Sequence, residues 1–233
     1  MKKQLSKEAY KKRLNDIRNV RKEMAKRDVD SLHVKLQRGN SKTGANCYTV
    51  SLLPVIDCAN CKQCSRDCYD VKSDMIYKTV KEDRARNSVI HEKDPRRFWS
   101  EIGLQIQANF VEYLRLNVGG DLNDDDFYWV SALAENNPKC HILFFTKNYS
   151  GINKFLKKGS FPSNVHPIMS AWKGMEIDNP NQLPESHVLY ENGETTAPEY
   201  GAYYCKGNCS KCAYEGSGCW NLKKGESVIF KYH

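Results

Sequence analysis

The sequence predicts an α/β fold, built on a small, mostly parallel sheet or a partial (β/α) barrel. Three observations carry that class. From residue 113 onward, apolar runs at 114–118, 140–146, 165–172 and 187–190 read as strands, and they alternate with helical patterns at 124–134 and 152–158. The connections are short, and alternation of this kind implies parallel strands joined by right-handed crossovers. A length of 233 residues, 40% hydrophobic and 27% charged, suits one compact domain with an appendage.

Taken in order, residues 5–29 form an amphipathic helix, because Leu5, Tyr10, Leu14, Ile17, Val20 and Met24 recur at spacings of three to five among Lys, Arg and Glu. A polar turn at 39–44 leads into a strand at 47–53, halted by Pro54. A cysteine-rich loop follows. Residues 70–90, with Val71, Met75, Ile76, Val80, Val89 and Ile90, are helical, and Asp94 with Pro95 is an N-cap and first turn for a helix carrying Phe98, Trp99, Ile102 and Ile106. Gly119-Gly120-Asp121 breaks the second strand, and the turn-rich stretch 173–184 is a surface loop. The tail carries a second cysteine cluster and a last strand at 228–233. The division expected is a basic helical extension, 1–37, and one cysteine-rich α/β domain, 38–233.

The formal net charge of +8 changes meaning when it is divided along the chain. Residues 1–30 hold 11 Lys plus Arg and 5 acids, whereas the other 203 residues carry 25 and 23, so the basic character belongs to the first helix. Two uses follow: docking on the body by the narrow apolar stripe, or contact with nucleic acid. The longest apolar runs, 50–56 and 141–146, are far short of the roughly 20 residues that cross a bilayer, so no membrane is expected. The opening residues are charged and lack the apolar core of a secretory signal, which makes a cytoplasmic location the expectation.

Eight of the ten cysteines fall into two clusters. The first, Cys58, Cys61, Cys64 and Cys68, has the pattern CxxCxxCxxxC; the second is Cys205, Cys209, Cys212 and Cys219. In a reducing compartment such clusters point to metal rather than disulfides. A tight loop can turn thiolates toward one centre through metal–sulfur bonds of about 2.3 Å. The first spacing resembles ferredoxin-type loops that hold a four-iron, four-sulfur cluster, without the proline that usually follows; a zinc knuckle also fits. Cys58 and Cys61 could instead share one four-thiolate zinc site with Cys209 and Cys212. Cys47 and Cys140 lie in strands as small buried hydrophobes. His33, His91, His141, His166 and His187 show no ligand spacing and are packing or surface residues, while His233 is a candidate ligand.

At these residues the chain resembles the Gene product 88 family of phage and mobile-element proteins. The likeness rests on Asn40-Ser41-Lys42, Asp57-Cys58 through Cys68-Tyr69, Gly120-Asp121, Phe145-Thr146-Lys147 and the Cys209, Cys212, Cys219-Trp220 tail closing with His233. It covers 38–233 and implies no particular activity. A fainter similarity is to radical SAM enzymes, whose cysteine loop after the first strand binds a four-iron cluster and whose glycine-rich motif after the second meets S-adenosylmethionine. Cys58 to Cys68 and Gly119-Gly120-Asp121 hold those positions here. However, the first loop is not CxxxCxxC, a spacing found instead at Cys205, Cys209 and Cys212, and the four or five units fall short of the usual six.

The function expected is therefore that of an iron–sulfur protein, radical-SAM-like or redox, with a zinc-stabilised nucleic-acid-binding or interaction protein as the alternative. The metal ligands would be Cys58, Cys61, Cys64, Cys68, Cys205, Cys209, Cys212 and Cys219. Gly119, Gly120, Asp121 and Thr146 would border a cofactor, with Asp121 meeting its cationic group and Lys147 an anionic one. Ser170 and Trp172 would lie at neighbouring strand ends. Nucleic acid is the partner expected at the N-terminal helix.

Overall fold

The computed structural model describes residues 5–39, 43–44, 46–61, 64–73, 78–198 and 202–232. Its helices are α1 (Lys7–Ala25), α2 (Tyr69–Ser73), α3 (Lys78–Lys93), α4 (Pro95–Ala108), α5 (Asp126–Asn136), α6 (Tyr149–Leu156) and α7 (Cys209–Tyr214). Its strands are β1 (Cys47–Val50), β2 (Tyr113–Leu116), β3 (His141–Thr146), β4 (Val165–Ser170), β5 (Glu185–Leu189), β6 (Ala202–Tyr204) and β7 (Ser227–Lys231). Met75, Ile76, Asn40-Ser41-Lys42 and His233 lie outside the described residues.

All seven strands are parallel, in the order β1-β2-β3-β4-β5-β7-β6. A run of consecutive parallel neighbours with right-handed crossovers sends its helices to one face. The side chains of β3 show the consequence. Ile142 and Phe144 enter the main core with Phe98, Ile102, Phe127, Val130, Ile152 and Phe155 from the helices. Leu143 points to the other face, into a second cluster with Cys47, Ile168, Cys212, Ala213 and Trp220.

That second face is concave. Phe145 on β3 and Phe230 on β7 stand three strand positions apart, about 14 Å across a flat sheet. Their ring centroids are 5.7 Å apart, which requires strong curling. At the C-terminal edge, Tyr232 beyond β7 donates its hydroxyl to Asp67 in the loop that follows β1, at 2.7 Å. The sheet is nonetheless not closed, because β1 and β6 do not pair. The partial-barrel expectation holds in this form: a curled, open, all-parallel sheet with a seam between its first and last strands.

The basic helix is part of the fold. Ser6 caps α1 by accepting the Ala9 N–H at 3.1 Å, and Ile17 and Met24 are buried in the main core. Burial of two such side chains is worth about 1.5–3 kcal/mol each, enough to hold the helix down. Lys81 on α3 pairs with Asp16, and Arg21 reaches Ser88 and Glu92. Lys7, Lys11, Lys12, Arg18 and Lys22 remain exposed. No described helix is long and apolar enough to cross a membrane.

The strands depart from the sequence reading at two places. The first strand ends at Val50 rather than 53, since Asp57 Oδ2 accepts the Leu53 N–H at 2.8 Å and turns the chain away. Residues 171–184 cross from β4 to β5 without a helix, as expected of a loop. β6 and α7 are additional, and β7 inserts between β5 and β6.

Candidate metal centres at the curled sheet

The C-terminal ends of parallel strands are where α/β proteins place their chemistry, because the loops after successive strands converge there. The first cysteine loop leaves β1 at that edge. Val55 has φ of +68°, a left-handed conformation that a β-branched residue rarely adopts. Its N–H is thereby aimed at Cys58 Sγ, 3.3 Å away, while its carbonyl accepts from the Cys61 thiol at 3.7 Å. Val55→Gly relieves this strain but gives up a side chain packed against the main core and frees the unfolded chain, so it is expected to leave the stability of the metal-free chain within about 1 kcal/mol of the parent in a denaturant titration.

Burial raises the thiol pKa of Cys58, Cys61, Cys64 and Cys68, to about 12 at Cys68. Cys58 interacts electrostatically with Cys61 and Cys68, and Cys64 with Cys61 and Cys68. Lys147, just past β3, opposes the upward push at Cys61 and Cys64. Protonated buried thiols release protons when they take up metal, so loading here weakens as pH falls.

Asp121 stands behind this loop. Its Oδ1 accepts the Leu122 N–H and its Oδ2 the Lys147 N–H, each at 2.8 Å, and the Thr146 hydroxyl is close enough to favour the charged carboxylate. Each carboxylate oxygen is thus already engaged by a backbone N–H of the chain itself. Asp121 ties the end of β2 to the end of β3 and so places Lys147, whose ammonium lies 6.0 Å from the centre of the Trp172 ring. Ser170 faces elsewhere, its carbonyl accepting from Tyr149 at 2.5 Å and its hydroxyl meeting Ser186 at 3.3 Å.

The two glycines leave no open cradle. A Cβ on Gly119 would lie 2.0 Å from Asp70 Oδ2, and one on Gly120 would lie 2.7 Å from the Leu52 Cβ. Gly120 also has φ of +83°. In this structure both glycines serve close packing of the β2 end against the β1 loop and α2.

The second cysteine set gathers on the concave face. Cys205 follows β6, Cys209 and Cys212 lie in α7, and Cys219 sits in a short 3-10 turn, Gly218–Trp220. Cys219 is pushed up to about 12 by burial and interacts with Cys205, Cys209 and Cys212. Gly207, at φ +77°, donates its N–H to Cys205 Sγ at 3.3 Å, and Tyr203 OH meets Cys212 Sγ at 3.6 Å. Trp220 packs on Tyr113 and His166 at the N-terminal half of the sheet. The zinc site shared by Cys58, Cys61, Cys209 and Cys212 is therefore not formed: one pair belongs to the strand-end mouth, the other to the opposite half of the concave face. Cys47 and Cys140 are buried as expected, Cys47 close to Cys209.

Sequence reasoning passed over Arg115 and Val55. Arg115 projects from β2 among the second set, donating to Cys209 Sγ at 3.7 Å, with its guanidinium 5.0 Å from the Phe145 ring centre. A signal was present, a lone charge inside Leu114-Arg115-Leu116. Among the described residues, no three His, Cys, Asp or Glu side chains converge closely enough to hold a single ion as they stand.

The chain matches no curated protein and no solved structure. The family model described as Gene product 88 matches residues 23–200, from within α1 to just before β6. The first cysteine loop, Gly120-Asp121 and Phe145-Thr146-Lys147 lie inside the match; the second cysteine set, which the sequence likeness included, lies beyond it. With a match over most of its length, the chain belongs to the Gene product 88 family.

Proposed function

We propose that the first loop holds an iron–sulfur cluster through Cys58, Cys61, Cys64 and Cys68, and that the chain is a redox enzyme working at the C-terminal mouth of its sheet. The observation that carries this reading is the strained Val55, which aims a backbone N–H at Cys58 Sγ. Such strain persists where function over-determines it, and hydrogen bonds to the sulfurs are a lever on cluster potential. Thiolates spread over a loop also suit a cluster better than zinc, whose tetrahedral bonds of about 2.3 Å need sulfurs drawn to one point.

A bound cluster would supply one-electron chemistry to whatever occupies the mouth. Lys147 offers that occupant a cation, and Asp121 holds Lys147 in place. S-adenosylmethionine fits less well, because both oxygens of the Asp121 carboxylate that would meet its ammonium are already engaged by the Leu122 and Lys147 N–H groups. Anaerobic purification with metal and acid-labile sulfide analysis is the test. A brown protein whose visible absorption bleaches on reduction, and which loses about one cluster's worth of iron and sulfide in Cys61→Ser/Cys64→Ser, is expected. A colourless protein carrying stoichiometric zinc overturns the reading.

The exposed lysines and arginines of α1 favour a second reading, binding of nucleic acid to that helix. Deleting α1 would remove Ile17 and Met24 from the core, so charge reversal is the better test. Lys11→Glu/Lys12→Glu/Arg18→Glu should abolish salt-dependent retention of DNA or RNA while changing the unfolding free energy by no more than about 0.5 kcal/mol per substitution. Equal retention by the variant and the parent would dismiss the idea.

A further inference from the structure

Arg115 poses a problem of charge. It projects into the concave face, its Nε is buried without a hydrogen-bond partner, and no carboxylate pairs with it among the described residues. It touches Cys209 Sγ and the Phe145 ring, and its charge is felt by Tyr69, Cys219, Cys47 and Cys205 nearby. A buried cation left uncompensated costs several kcal/mol, and proteins pair such charges or place them beside metal centres.

The location adds a second observation. α7 lies across the seam of the sheet. On one side Ser210 donates its N–H to Thr43 O at 2.8 Å and accepts the Asn46 N–H at 3.2 Å, both in the approach to β1. On the other, Tyr203 of β6 touches Cys212. β1 and β6 are the two outermost strands. The cysteine-bearing helix thus bridges the edges that the backbone leaves unpaired.

We propose that Cys205, Cys209, Cys212 and Cys219 hold a second metal centre, separate from the first, which clasps the seam and has Arg115 as its counter-cation. Four thiolates around one zinc ion, or around an oxidised four-iron cluster, carry two negative charges in excess, and either would supply the anion that Arg115 lacks. The Gly207 N–H on Cys205 Sγ gives the set the same kind of N–H to sulfur bond as the first loop.

The test counts metal and sulfide in the anaerobically purified full chain and in two double variants. Cys209→Ser/Cys212→Ser should lose the second centre and keep the first; Cys58→Ser/Cys61→Ser should do the reverse, and the metal retained there tells zinc from iron. Arg115→Gln keeps every ligand and should release the second centre's metal to a chelator about tenfold faster, with Arg115→Lys close to the parent. Unchanged metal content in Cys209→Ser/Cys212→Ser, or a parental release rate in Arg115→Gln, overturns the clasp. The iron–sulfur reading of the first loop fails separately, if Cys209→Ser/Cys212→Ser retains no iron.

Discussion

Gly119→Ala is expected to lower stability by about 3–5 kcal/mol, the range for breaking a buried ion pair. Gly119 has no left-handed backbone, so a wrong conformation is not the cause; space is. The added methyl would sit 2.0 Å from Asp70 Oδ2 and 3.0 Å from Arg84 Nη1. Those two atoms form a salt bridge of 2.6 Å whose side chains are 2% and 8% exposed, so neither group can swing into water. Asp70 lies in α2, two residues after Cys68, and its displacement moves the last cysteine of the first loop. A urea or guanidinium titration reads the stability, with a fall in Tm of about 10 °C for a chain of this size. Metal content per folded chain should fall with it. An alanine variant with the parental midpoint would show that the glycine is there for an approaching ligand and not for packing.

The sequence made the periodic and capped elements visible and left the rest hidden for physical reasons. Asp94 before Pro95 is a local signal, and Asp94 Oδ1 does accept the Arg97 N–H at 3.0 Å. The continuous run of β3 matches a strand buried on both faces, as parallel sheets require. By contrast, β6 is three residues, Ala202–Tyr204, too short for any period to appear, and α7 is a single helical stretch carrying two cysteines. The insertion of β7 between β5 and β6 is a non-local pairing that no window of sequence contains.

The candidate site divides in the same way. Cysteine spacing is local, so both sets could be found. Their assignment to opposite halves of one curled face depends on the sheet's curvature, which only long-range contacts such as Phe145 with Phe230 disclose. The roles of Asp121 and Arg115 were hidden too, because each is defined by partners on other strands: Lys147 and Thr146 for the first, Cys209 and Phe145 for the second. Residues 119–121 read as a ligand-binding turn in one dimension. In three, Leu52 and Asp70 fill the space that the glycines leave.

Asp126→Ala is expected to cost about 3–5 kcal/mol, because one carboxylate joins three helices. Asp126 is 1% exposed at the start of α5. Its Oδ1 pairs with His91 Nε2 of α3 at 2.7 Å and accepts the Trp99 Nε1–H of α4 at 3.3 Å, while its Oδ2 accepts the Asn123 N–H at 2.9 Å. Alanine would strand the donors of His91, Trp99 and Asn123 together, each losing a partner where water cannot replace it. Asp126→Asn keeps one acceptor oxygen and should recover part of the loss. A cycle with His91→Phe should show coupling of about 1–3 kcal/mol if the pair acts as a unit, whereas additive losses would mean that each side chain packs independently. The effect should reach the mouth, since Asn123 begins the turn into α5 only two residues after Asp121. A loosened turn would free the Lys147 N–H from its carboxylate and let the cation drift from the cysteine loop. Metal retention in Asp126→Ala should therefore fall below that of a variant equally destabilised through α1, such as Met24→Ala; equal retention in the two would confine the network to holding the helices together.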